Sequence, residues 1–148
     1  MTTIRPSGRF GDRKMESRWS PSPPWVHHVI AQEAAAALRA IPGDALAFEL
    51  RGSLMTDHDG LFDEFSRQMS FPQYFGRNWP ALQDCLDDLT WMPAASSYLL
   101  VIHEWPRVLS ECEVDRLVLE RILHDVGSMR AQGPAAMVVP LNTLLVSE

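Results

Sequence analysis

The stretch FPQYFGRNWPALQDCLDDLTW, residues 71–91, joins a rigid aromatic turn to a short acidic helix, and the rest of the chain reads as its support. In FPQYFG, Pro72 fixes φ, Tyr74 and Phe75 bring large rings, and Gly76 is free to take the positive φ that reverses the chain. Asn78 is placed as an N-cap. Trp79 and Pro80 follow in the first turn, where a missing backbone N–H costs nothing because that donor lacks an intrahelical partner. At about 100° per residue, Trp79, Leu82, Cys85, Leu86 and Leu89 share one side of the helix and Asp84, Asp87 and Asp88 the other. One side packs and the other is offered to a partner.

The flanking segments supply a sheet and its cover. Upstream, DALAFELR (44–51) alternates, with Leu46, Phe48 and Leu50 on one face of a first strand. TDHDGLFDEFSRQMS then spaces Leu61, Phe62, Phe65 and Met69 for an amphipathic helix that starts near Asp57 or Asp59. Downstream, the run Tyr98, Leu99, Leu100, Val101, Ile102 reads as a strand buried on both faces. Residues 111–132 carry Val114, Leu117, Val118, Ile122, Val126 and Met129 at helical intervals, stopped by Gly133 and Pro134. A third strand is expected over 135–139, with 144–146 continuing or pairing with it beyond Pro140. Strands separated by helices favour an α/β fold with a small parallel sheet.

Two segments precede this core of 44–148. From Trp25 the positions Val29 or Ile30, Ala34, Ala37 or Leu38, and Ile41 repeat at helical spacing up to IPG, which predicts an added Ala-rich N-terminal helix over 25–43. Adjacent on such a helix, His27 and His28 diverge and do not suit one metal ion. Residues 1–24 are polar and basic and end in SPSPP, the composition of a flexible tail in which Met15 is a second candidate start.

At 148 residues, 46% hydrophobic and 22% charged, the chain is long enough for one globular domain plus a tail, and its composition is neither that of a disordered nor of a membrane protein. Its longest apolar runs are too short to span a bilayer, and no export signal is readable, so a cytoplasmic location is expected. Cys85 and Cys112 form neither a disulfide framework nor a metal-ligand set in sequence, and both are expected as reduced, mostly buried thiols on helices. The net charge of −6 is unevenly spread: residues 1–24 hold five bases against Asp12 and Glu16, whereas residues 53–91 hold seven acids against Arg67 and Arg77. That balance argues against nucleic acid and for a partner with a basic surface.

Catalytic readings find little support in the chain. Cys85 with His103 as base fails because the thiol lies on the apolar side of its helix, where burial raises its pKa. Phosphate loops, HExxH pairs and GxSxG elbows are missing from the sequence. A magnesium-type site from Asp84, Asp87 and Asp88 would need Glu104, which nothing in the sequence brings close. DHDG lacks the remaining ligands of a calcium loop. Carboxylates on an exposed helix beside the aromatic anchor Tyr74 instead have the make-up of an interface hot spot, able to stand in for phosphates in a basic active site.

FPQYFGRNWPALQDCLDDL, followed by a buried strand and a long helix, resembles the barstar family of ribonuclease inhibitors: the aromatic pair, Gly, Asn, Ala-Leu and Asp-Cys-Leu stand in the family's order. The resemblance implies a three-stranded parallel sheet packed against helices. It also implies a non-enzyme without cofactor or metal that plugs the active site of a basic, extracellular-type ribonuclease or nuclease toxin. It would be a monomer when free, with no nucleic-acid or membrane partner. By position, Tyr74, Gly76 and Asn78 belong to the recognition loop and Asp84 is the central carboxylate. The family's further aspartate is replaced by Pro80, an aromatic residue by Gln83, and a late helical glutamate aligns with Ser128, while Asp87 and Asp88 add charge further along. The expected target is therefore a different toxin met with a shifted footprint. A barstar-fold interaction module without inhibitory activity, and more remotely a metal-dependent enzyme, are the alternatives.

Overall fold

The computed structural model describes residues 23–132 and 139–147. Strand β1 (Val26–Ile30) leads directly into helix α1 (Ala31–Arg39). Then come β2 (Leu46–Arg51), α2 (His58–Met69), α3 (Trp79–Asp88), β3 (Tyr98–His103), α4 (Arg116–Arg130) and β4 (Leu141–Ser147). All strands run parallel in the order β1-β4-β3-β2.

The sheet thus has four strands and not the three expected. The fourth is the first half of what the spacing of residues 25–43 suggests is one helix. Val26, Val29 and Ile30 are β-branched, and they pair with Thr143, Val146 and Ser147 along the free edge of β4, with Thr143 N donating to Trp25 O at 2.8 Å. His27 and His28 consequently alternate across a strand, and His28 Nε2 lies 2.8 Å from Glu120 of α4. Within residues 135–139, Val139 precedes the strand and the others lie outside the described residues; the strand itself starts at Leu141, beyond Pro140.

Each face of the sheet has its own core. Leu50, Leu100, Ile102, Leu141 and Leu145 pack against α2, α3 and α4, through Phe65, Met69, Leu82, Leu86, Leu119, Leu123 and Val126. Leu99, Val101, Leu144 and Val146 pack on the other face against Ala34 and Ala37 of α1. Residues 98–102 are accordingly buried throughout, as the continuous apolar run requires.

The long C-terminal helix begins later than its apolar spacing suggests. A 3₁₀ turn (Glu113–Asp115) precedes α4, and the face toward the sheet is Leu119, Ile122, Leu123, Val126 and Gly127. Val114, Leu117 and Met129 are exposed. Among the described residues no helix is long and apolar enough to cross a membrane.

Candidate partner-binding loop and helix

Helix α2 starts on Asp57, whose carboxylate accepts from Gly60 N at 2.8 Å, and ends on Ser70 in the left-handed region (φ 54°). The chain then enters a turn closed by Phe75 N donating to Pro72 O at 3.0 Å. Side chains alternate in direction here. Phe71 and Phe75 turn inward, with ring centroids 4.9 Å apart; Phe75 also meets Phe62 at 5.8 Å and Phe71 meets Trp91 at 6.0 Å, all edge-on. Tyr74 between them turns outward and is 75% exposed.

The reversal expected at Gly76 occurs one residue later, at Arg77, with φ 56°; among the described residues no glycine has positive φ. Acids on α2 hold the Arg77 side chain there. Arg77 Nη1 donates to Asp63 at 2.7 Å and its other terminal nitrogen lies 3.6 Å from Asp59, and those contacts raise the arginine's pKa, Asp63 contributing most. They hold a left-handed residue that would otherwise carry strain. Gly76 needs no special backbone: an added Cβ would meet Ala81 Cβ at 3.4 Å, an ordinary contact.

Asn78 caps α3 as expected, its side-chain oxygen accepting from Ala81 N at 2.8 Å, and Pro80 occupies the first turn. Trp79 rests edge-on against Phe62 and His58, with centroids 5.5 and 5.6 Å away. At the other end Leu89 is left-handed (φ 52°), and Trp91 Nε1 donates to Met69 O at 3.0 Å, tying the end of α3 to the end of α2. Leu82, Cys85, Leu86 and Leu89 are buried.

Asp84 and Asp88, one helical turn apart, are both exposed, whereas Gln83 is half-buried. Asp87 lies at the boundary, half-buried against α4. Burial raises its carboxyl pKa above the ordinary range, opposed by Arg130 and reinforced by Asp84 and Asp125. Asp125, exposed on α4, therefore adds to the anionic surface; it stands 38 positions beyond Asp87 in the chain, with no spacing in the sequence to pair the two. Ser128 is half-buried on α4. Burial, with the charges of Asp88 and Asp84, also pushes the Cys85 thiol up, which disarms it as a nucleophile. Glu104 stays at the end of β3, accepting from Ser53 N at 3.0 Å.

A loop stiffened by inward aromatics, an Asn-capped helix and an outward pair of aspartates is thus in place, and the family model described as barstar (barnase inhibitor) matches residues 45–140. The chain belongs to the barstar family. The barstar match runs from β2 past the end of α4 and contains the whole 71–78 loop and α3, while β1, α1 and β4 flank it. No curated protein matches the chain.

Proposed function

We propose that this barstar-family chain is a cytoplasmic inhibitor, or immunity protein, that binds and blocks the active site of a basic ribonuclease or nuclease toxin and catalyses nothing itself. The observation that carries the reading is the 75% exposure of Tyr74, together with the exposed Asp84 and Asp88, on a loop and helix whose every other aromatic ring packs against the core. An exposed aromatic ring and exposed carboxylates on one loop and helix are groups that a basic partner can cover. Asp84 occupies the phosphate position of a basic cleft, Tyr74 packs beside it, and the loop backbone around Gly76 and Asn78 sets the approach. With Pro80 and Gln83 in place of the family's usual residues, and Asp87 turned toward Arg130, the charged footprint moves to Asp88 and Asp125. The target is accordingly a toxin other than barnase.

The test is RNA cleavage by a panel of basic ribonucleases and toxin nucleases, barnase included, titrated with this protein. Stoichiometric loss of cleavage for one member, with weaker effect on barnase, supports the reading. Tight binding without loss of cleavage would make the chain a non-inhibitory interaction module.

A further inference from the structure

A second cluster of chemistry-bearing side chains lies away from the acidic face. His58 opens α2, Cys112 and Asp115 bracket the 3₁₀ turn before α4, and their ligand atoms all lie within 4.8 Å of one another. We infer that His58, Cys112 and Asp115 form a binding site for a divalent transition-metal ion of the zinc class, with water completing the coordination.

The geometry is set by the backbone. Leu109 N donates to Met55 O at 2.7 Å and Glu111 N to Thr56 O at 3.1 Å, which clamps the segment after β3 to the residues just before His58. Thr56 Oγ1 adds a bond to Glu111 Oε2 at 3.1 Å. Within the turn, Cys112 N donates to Leu109 O at 2.8 Å and Asp115 N to Cys112 O at 2.9 Å. Cys112, just before the turn, and Asp115, its last residue, both bring a ligand atom to the imidazole.

His58 and Asp115 form an ion pair that an ion bound between them would replace. His58 Nε2 and Asp115 Oδ2 are 2.8 Å apart, and a tetrahedral site with bonds of about 2.0–2.3 Å requires ligand separations of roughly 3.3–3.7 Å. An ion entering there would open that contact by about half an ångström and draw in the thiol. Cys112 is exposed, and the His58 and Asp115 side chains are 36% and 33% exposed, so an ion has a path in. One imidazole, one thiolate and one carboxylate form a mixed N, S, O set that selects zinc-like ions over magnesium or calcium, and the two anionic ligands neutralise a dication. Binding releases the thiol proton to solvent. His58 also supports Trp79, the first residue of α3, at 5.6 Å, so a bound ion would fix the ring on which the recognition helix begins.

Cobalt titration of the full chain tests the site. Saturation at one Co²⁺ per chain with a thiolate-to-metal absorption band, displaced by Zn²⁺, is the expected result. Cys112→Ser should abolish the band while Cys85 remains, and Asp115→Asn and His58→Gln should each weaken Zn²⁺ binding at least about tenfold, with far-UV circular dichroism unchanged. Absence of a thiolate band at millimolar Co²⁺, or a band that survives Cys112→Ser, overturns the assignment.

Discussion

The guanidinium of Arg130 donates to the backbone carbonyl of Asp87 at 2.8 Å, so the last turn of α3 is capped by a side chain from α4. The same group donates to Leu86 O at 3.2 Å and to Val139 O at 2.9 Å, and lies over the Tyr98 ring at 5.4 Å. Burial lowers its pKa, and Tyr98, Asp87 and Asp88 oppose that shift. One cation thus fixes the end of the acidic helix against the sheet and the segment entering β4.

Arg130→Met should therefore cost about 2–4 kcal/mol in urea unfolding, because the carbonyls it serves lose a charged donor at a part-buried site. Amide hydrogen exchange at Leu89 should quicken more than at Ala81. Arg130→Lys should recover little, since an ammonium cannot serve several carbonyls and stack on a ring from one position.

Asp87 gives a pH signature. Its pKa is raised in the folded state, so folding favours its protonated form: that contribution is complete below the unfolded pKa and is lost as pH rises through the folded one. At neutral pH the charged carboxylate is a net burden. Asp87→Asn should raise Tm at pH 7, and its advantage should shrink as pH falls into and below the ordinary aspartate range.

Neighbouring loop aromatics should separate binding from stability. Tyr74→Ala removes an exposed ring and should change stability by less than about 0.5 kcal/mol while weakening the toxin complex by about 1–2 kcal/mol or more. Phe75→Ala removes contacts with Phe62 and Phe71 and should cost about 2–4 kcal/mol of folding free energy. Comparable unfolding midpoints for the two variants would contradict this division.

Gly52 is required by space. A Cβ there would come 2.1 Å from the Glu104 carbonyl oxygen, where β2 and β3 both end. Gly52→Ala should destabilise by at least about 2 kcal/mol, read as a lower urea midpoint at constant m-value.

Local chemistry made much of this legible. Asn78 with Pro80 marks the start of α3, the 71–91 spacing separates Leu82, Cys85 and Leu86 from Asp84 and Asp88, and the unbroken run 98–102 places β3 at the centre of the sheet. What escaped depends on distant partners. VHHVI runs without a loop into AQEAAAALR, so its apolar positions also fit a helix, and only the open edge of β4 decides for a strand. The left-handed residue is Arg77 and not Gly76, and the partners of its guanidinium, Asp63 and Asp59, lie on α2. Cys112 is expected in a buried helix but sits exposed before a 3₁₀ turn, since loop 109–112 is pinned to residues 55–56. Asp87 reads as part of the acidic face, yet α4 packs beside it and Arg130 reaches under the helix end.

The most direct test of the central claim is the affinity of wild-type protein and Asp84→Ala for the ribonuclease whose cleavage the wild type abolishes, measured at low and high salt. The account predicts a loss of roughly thirtyfold or more for Asp84→Ala, with a shallower salt dependence, at unchanged stability. Equal affinities for the two proteins, or a panel in which no basic ribonuclease is inhibited, would contradict it.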